Sequence, residues 1–572
     1  MVMLNFLQAA FSGIHSDLLV IFEIGIIIIL ATILAFIVKL ARQPLIPAYI
    51  ITGILIGPLV FGIIQDQSLI IALSEIGVAF LIFTAGLEIK FKKLGEVGKT
   101  VIIAGILQIF FLFILTYLIS SGLGFSNQSL FYIGLVVAFS STMIVVKVLN
   151  DKREIDSLHG RIIIGILLIQ DIAAIIALTV ISSDLSVANI SLFITKAGIF
   201  AIAAFMLSKI SSPIFKASAE DSDMLLLCAI SFLFIFVLGS YAAGLSLIVG
   251  AFFAGVSLAN SEYKTEIQGR IGPLREFFSV IFFVSLGMQL RLITKEFVLL
   301  FFVLFFLVII IKPIITMFII RLLGYKKSTS FLTGNALAQT SEFSLIIATL
   351  GFNLGYINEG LFSTLILLTI ATMSMTIYLI RHEKALTKWL DWPLNLLNNF
   401  HTKNESLEYH EIDGKKIIIF GCHRMGSLFV KEFNKNKKGI FVVDYNPEII
   451  KYLIEKKVPC MYGDFANEEV FNKAEIKKAE IIISTIPDMD DNVMLVKKVR
   501  RLNKEALIFI VAERISEALK LYKIGVDYVI LPQVIGGQKV SELIPRLRDK
   551  DDVKILKKEH MEYLDSIHNI LY

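Results

Sequence analysis

The chain has 572 residues, 56% of them hydrophobic, with a formal net charge of +5 and three cysteines. Its mean hydropathy of +0.77 excludes a wholly soluble globule, for which ~45–50% apolar content is usual. The mild positive charge lies mostly in loops between apolar segments, so it reads as membrane topology and not as a nucleic-acid surface. Cys228, Cys422 and Cys460 have neither metal-ligand spacing nor a disulfide pattern.

In chain order, residues 1–17 lack a basic n-region and a small-residue cleavage site, so no cleaved signal peptide is expected. About thirteen apolar segments then follow: 18–40, 46–64, 68–89, 98–121, 128–149, 158–183, 188–208, 223–241, 244–259, 271–290, 296–323, 328–353 and 357–380. On this count Lys39, Arg42, Lys90, Lys92, Lys93, Lys99, Lys152, Arg153, Lys209, Lys216, Lys264, Arg270, Lys326 and Lys327 share one side. Only Arg291 and Lys295 fall on the other. The positive-inside bias puts the first set in the cytoplasm, the N-terminus outside and the C-terminal part inside. Lys196 lies within the seventh segment and is expected to snorkel.

The fifth segment carries Ser140, Ser141 and Thr142 near its middle, and the twelfth carries Gln339, Thr340, Ser341 and Glu342. Polar clusters at that depth are costly unless they line a cavity. Two of them in corresponding positions of two halves mark a transporter site built from interrupted helices. They lie seven segments apart, an odd offset, so the two helices cross in opposite directions as an inverted repeat requires. Their neighbours, the sixth and thirteenth segments, carry Asp171 after Gln170, and Thr372 with Ser374. A carboxylate at the middle of an apolar span is kept only if it pairs, titrates or holds a cation. Asp171 therefore marks an ion or proton carrier, with potassium or sodium as the metal expected there. Breaking the helices frees carbonyl oxygens for a cation. Packing serines and threonines at helix interfaces would give similar clusters.

Three further charges lie deep: Glu75, Lys312 and Glu342. A buried lysine must pair or lose its proton, and the simplest arrangement pairs Lys312 with Glu75 or Asp171. A structural salt bridge between Glu75 and Lys312 is the alternative. Glu342 reads either as a second carboxylate of the site or as a helix-terminus partner.

After about residue 380 the composition turns Lys- and Glu-rich. We divide the chain into a transport region 1–382, a linker 383–413, a cytoplasmic α/β domain 414–535 and a tail 536–572, too short for a full second ligand-binding subdomain. A buried strand (416–420) enters a turn from Gly421 to Gly426, followed by an amphipathic helix and a second strand ending at Asp444, about 20 residues on. Further strands at 479–485 and 506–512 complete a β-α-β-α-β alternation and a doubly wound parallel sheet. Amides at the turn would take phosphate and Asp444 would take ribose hydroxyls. His423 stands where a dinucleotide fingerprint has its second Gly, which suits a mononucleotide such as AMP at least as well. No Walker lysine, catalytic triad or hydride-transfer pocket is present, so a transporter and not an enzyme is expected. An α/β domain that has lost its ligand is the alternative.

Taken together, Gln170-Asp171, the Ser140-Ser141-Thr142 break, the segment Gln339 to Ser344, Gly53 to Pro58, Phe83 to Glu88, Gly421 to Gly426 and Gly463 to Ala466 resemble the Kef-type branch of the monovalent cation:proton antiporters. The C-terminal part resembles the regulator-of-potassium-conductance domain, which is TrkA-N-like. The resemblance spans roughly residues 18 to 535. It implies a polytopic α-helical transport domain with inverted repeats plus a Rossmann-like nucleotide-binding domain. It also implies a homodimer in a prokaryotic inner membrane, among lipids, exchanging potassium or sodium for protons. Asp171 is then the alternately protonated carboxylate, with Gln170 beside it and Thr142, Ser141 and Ser140 completing the cation shell. Gln at 170, where electrogenic relatives carry a second Asp, implies one-for-one electroneutral exchange. The ligand implied for the cytoplasmic domain is AMP or another adenine nucleotide, NAD(H) or a glutathione species. It is held around Gly421, Cys422, His423, Arg424, Met425, Gly426, Asp444, Tyr445, Gly463, Asp464, Phe465 and Thr485. A ligand-gated potassium channel would need a Thr-Val-Gly-Tyr-Gly-like filter, and the chain has none.

Overall fold

A computed structural model describes the chain except for residues 1–15, 42, 65–67, 89–98, 153, 156, 182–194, 197, 201, 203–205, 208–214, 219–220, 260, 326, 384–385, 387–407, 410–415, 423, 436–438, 445, 464–470, 472–473, 487, 547–550, 552 and 562–572. The chain divides into two units near residue 400.

The first unit is helical. Its elements are α1 (Ser16–Leu40), α2 (Leu45–Ile56), α3 (Ser68–Glu88), α4 (Lys99–Ser121), α5 (Asn127–Ala138), α6 (Thr142–Asp151), α7 (Leu158–Ile181), α8 (Ser222–Ala242), α9 (Leu247–Leu258), α10 (Lys264–Met288), α11 (Lys295–Phe306), α12 (Lys312–Leu322), α13 (Lys327–Ala336), α14 (Glu342–Asn353) and α15 (Glu359–Arg381). Five residues of π-helix, Leu307–Ile311, join α11 to α12. Among the described residues nine helical stretches are long and apolar enough to cross a bilayer, α5–α6 and α11–α12 each counting as one. The short apolar helices α2, α9 and α14 accompany them. The expected segment 188–208 lies mostly outside the described residues. Its Lys196 is described, and its ammonium donates to the carbonyl of Ala243 at the end of α8.

Both expected interruptions are present. α5 stops at Ala138 and α6 starts at Thr142; α13 stops at Ala336 and α14 starts at Glu342. The restarts are capped: Ser341 accepts from Phe343 N, while its own N–H donates to Ser344 Oγ.

Close helix contact elsewhere depends on glycine. A Cβ on Gly287 of α10 would sit 2.1 Å from Ile50 O of α2, and one on Gly53 would sit 2.0 Å from Val284 O. Backbone meets backbone at this crossing, as small residues allow in membranes. Gly287→Ala is expected to cost more than about 2 kcal/mol through overpacking. It should collapse the monodisperse gel-filtration peak in detergent. Gly269→Ala in the same helix, where nothing lies within 4 Å, should leave that peak intact.

The second unit contains β1 (Glu408–Tyr409), β2 (Ile417–Phe420), α16 (Arg424–Lys435), β3 (Ile440–Asp444), α17 (Pro447–Glu455), β4 (Cys460–Tyr462), β5 (Ile481–Ser484), α18 (Met489–Leu502), β6 (Leu507–Val511), α19 (Ile515–Lys523), β7 (Tyr528–Ile530) and α20 (Pro532–Leu543). The sheet order is β1-β4-β3-β2-β5-β6-β7, parallel except for β1 against β4. This is the doubly wound arrangement, whose strand order reverses between β2 and β5. Strands β2 and β3 are buried throughout, which explains their unbroken apolar runs.

Candidate ion site and nucleotide turn

The two interruptions are bonded to each other. Ser140 Oγ donates to Leu337 O at 3.2 Å, and Gln339 Nε2 donates to Ser141 O at 3.2 Å. Ser344 Oγ of α14 donates to Val136 O of α5 at 2.7 Å. α15 braces the second break: Thr376 Oγ1 donates to Ala338 O, and Thr372 Oγ1 accepts from Thr340 N.

Charges are sorted by helix end. The N-terminal side of the restarts holds the carboxylates. Thr142, first residue of α6, donates through Oγ1 to Asp171 Oδ2 at 2.8 Å. Glu342, first residue of α14, accepts from Ser141 Oγ at 2.9 Å. Anions at helix N-termini are favoured by the unpaired amides there. Thr142, Asp171 and Glu342 are half-buried, whereas Ser140, Ser141, Gln170 and Gln339 are buried. The accessible face of the crossing is therefore the acidic one.

The C-terminal ends of the stopped helices are held by a lysine. Lys312, fully buried at the start of α12, donates to Val137 O, Phe139 O and Gln339 O at 2.9, 2.8 and 2.7 Å. This corrects the expectation that Lys312 pairs with Glu75 or Asp171. The carbonyls exposed by two helix ends carry partial negative charge, and the ammonium satisfies three of them at once. Glu75 is exposed on α3 and takes no part in the cluster. Three carbonyls at the interruptions are thus already occupied by an internal cation, and those of Leu337, Ser141 and Ala338 by neutral side-chain donors. One acceptor is left over: Gln339 Oε1 is buried and has no hydrogen-bond partner among the described residues.

A second layer that the sequence did not single out lies behind Gln170. Its Oε1 accepts from Ser140 N at 2.9 Å and its Nε2 donates to Gln108 Oε1 at 3.1 Å. Gln108 Nε2 donates to Thr316 Oγ1 at 2.8 Å. Isolated glutamines on apolar helices gave a signal of polarity at depth, but no periodicity to connect them.

In the second unit Gly421 has φ of +86° and directly follows β2. A Cβ on Gly426 would lie 2.1 Å from Gly421 O, so the turn can close only on glycine. Asp444 Oδ2 accepts from Cys422 N, and Oδ1 accepts from Asn446 N at 2.7 Å. Thr485, just after β5, donates through Oγ1 to Gly421 O at 3.0 Å. Gly463 N donates to Asp444 O. Gly421, Cys422, Asp444, Gly463 and Thr485 thus converge at the reversal of the strand order, with Met425 and Gly426 opening α16. His423, Tyr445, Asp464 and Phe465 lie outside the described residues, as does the side chain of Arg424. Burial and the neighbouring Asp444 charge raise the pKa of the Cys422 thiol, which excludes a ready thiolate there.

The family profile described as "Sodium/hydrogen exchanger, transmembrane" matches residues 25–381, and that of the TrkA-N domain matches residues 417–532. The K(+) efflux antiporter 4 of Arabidopsis thaliana is 29% identical over 426 residues, 70% of this chain and 71% of that protein. The putative K(+) efflux antiporter KefB of Alkalimonas amylolytica is 23% identical over 528 residues, 89% of this chain and 79% of that one. Among solved structures, the sodium proton antiporter MjNhaP1 of Methanocaldococcus jannaschii superposes with a TM-score of 0.51. That match has 16% identity and covers 68% of this chain and 99% of that one, which speaks to fold alone.

Proposed function

Since the chain belongs to the sodium/hydrogen exchanger family, as a cation:proton antiporter carrying a TrkA-N domain, we propose that it exchanges potassium for protons at Asp171 under control of a nucleotide. The observation that carries this reading is the half-buried Asp171 carboxylate, held by Thr142 at a half-helix N-terminus beside Glu342, while the buried Lys312 ammonium is already held by three backbone carbonyls. Asp171 releases its proton to one side, takes a cation with Thr142 and Glu342 among its oxygen neighbours, and is re-exposed on the other. Neutralisation by either species lowers the cost of moving the carboxylate through the low-dielectric core. Potassium is favoured by the names of the two curated relatives.

The Gly421 to Gly426 turn and Asp444 are the proposed seat of AMP, another adenine nucleotide or NAD(H). The ligand acts by binding the permissive and restraining states with different affinity. Asp444→Ala is expected to lower affinity for such ligands about ten-fold or more, read by calorimetry on the full-length protein in detergent. The boundaries 382, 413 and 535 are proposed to separate transport region, linker, regulatory domain and tail. The assembly is proposed to be a homodimer in a cell membrane, with the positively charged loops and the regulatory domain in the cytoplasm. Support for pairing comes from exposed apolar side chains on α19 and α20: Ile515, Leu519, Val534, Ile535 and Val540.

The test is proton movement in proteoliposomes holding a pH-sensitive dye. Imposing a potassium gradient should drive protons with no net current. A response to sodium alone would reassign the cation, and potassium current without proton movement would overturn the exchange reading.

A further inference from the structure

Four buried groups form one hydrogen-bond chain behind the exchange site. It runs from Ser140 N–H to Gln170, from Gln170 to Gln108, from Gln108 to Thr316, and from Thr316 Oγ1 to Lys312 O at 2.9 Å. It ties together the first interruption, α7, α4 and α12. Ser140, Gln170, Gln108 and Thr316 are each at most 1% exposed.

The polarity of the chain follows from its first member. A backbone N–H can only donate, so Gln170 must face Ser140 with its oxygen. Gln170 must then donate from Nε2, so Gln108 must receive with Oε1 and donate from its own Nε2. Thr316 accepts that proton and spends its own on the Lys312 carbonyl. Turning either carboxamide over would set donor against donor or acceptor against acceptor in a buried place, where an unmade hydrogen bond costs about 1–3 kcal/mol. A carboxylate at position 170 could accept from Ser140 but could not donate to Gln108. The chain therefore suits an uncharged side chain at 170 and leaves Asp171 the only carboxylate on α7.

We infer that Gln108 and Thr316 are positioning residues of the exchange site, which orient the Gln170 carboxamide so that it clamps the first interruption and coordinates no cation. The inference rests on the exchange reading above. It reassigns Gln170 from the cation shell to the scaffold that holds Thr142 against Asp171. The same lysine whose ammonium holds three carbonyls of the interruptions accepts the end of this chain at its own carbonyl, so one residue anchors both networks.

The test uses the full-length protein in proteoliposomes, with maximal rate, KM for potassium and potassium-over-sodium preference as readouts. Gln108→Met and Gln170→Met should each lower the maximal rate about ten-fold, with KM and cation preference near wild type. Their double variant should be no worse than either single, because both cut the same chain. Thr316→Val should reproduce the loss and Thr316→Ser, which keeps the hydroxyl, should recover most of it. This second pair decides the matter if a Met variant does not fold. A KM or preference change in Gln170→Met that is absent from Gln108→Met would make Gln170 a cation ligand and overturn the inference. So would wild-type rates in both Gln108→Met and Thr316→Val. Either result, with exchange intact in the wild type and lost in Asp171→Asn, leaves the exchange reading standing; failure of the wild type to exchange would remove both.

Discussion

Asp171→Asn is expected to abolish cation-driven proton movement while leaving the protein folded. Asn keeps an oxygen that can accept the Thr142 hydroxyl, now 2.8 Å from Asp171 Oδ2, and it occupies nearly the same volume. What it loses is the proton and the charge. Exchange by competition needs both, because the carboxyl must exist once as a neutral acid and once as a neutral cation complex to cross the core. A loss beyond a hundred-fold is the expected scale, since no second titrating group stands on α7 near this position. Glu342→Gln should weaken exchange and not eliminate it. Glu342 shares the accessible acidic face but bonds to Ser141, not to the Thr142–Asp171 pair. Proton flux in dye-loaded proteoliposomes reads both variants. Undiminished exchange in Asp171→Asn would remove Asp171 from the mechanism.

Lys312→Met should produce the largest loss of stability. Met fills a similar volume, so the change deletes the ammonium and little else. Three buried carbonyls, Val137 O, Phe139 O and Gln339 O, would lose their donor. Each orphaned acceptor costs about 1–3 kcal/mol, offset in part by no longer burying a charge, for a net of roughly 2–5 kcal/mol. The midpoint of thermal unfolding in detergent should fall accordingly. Had Lys312 paired with Asp171, its removal would chiefly move the pH profile of exchange. A shifted profile with an unchanged unfolding midpoint would therefore contradict the carbonyl-clamp role.

The interruptions were legible because serine, threonine and glutamine clustered where hydrocarbon should be, and Asp171 was legible because a mid-span carboxylate has so few physical excuses. The doubly wound sheet was legible from its apolar strands and the acid closing the second of them. β4 and β7, three residues each, were too short to leave a period. The partner of Lys312 is not legible in the sequence, for a definite reason. A sequence displays carboxylates but hides backbone carbonyls, and only the two helix ends meeting in space create an acceptor strong enough to hold an ammonium. Glu75 shows the converse, since its depth along the chain said nothing about which side of α3 it occupies. Gln108 and Thr316 escaped notice because each is a lone polar residue in an apolar run, unremarkable until the fold sets them in line with Gln170.

Exchange at Asp171 requires that proton and cation compete for a single carboxylate. The measurement that tests it most directly is the apparent KM for potassium on one face of the proteoliposome as pH is varied on that face alone. Competition predicts that KM rises about ten-fold for each unit of pH below half-protonation of the site, at a constant maximal rate reached with enough potassium. A KM that does not move with pH, while the maximal rate falls, would contradict it and place proton and cation at separate sites.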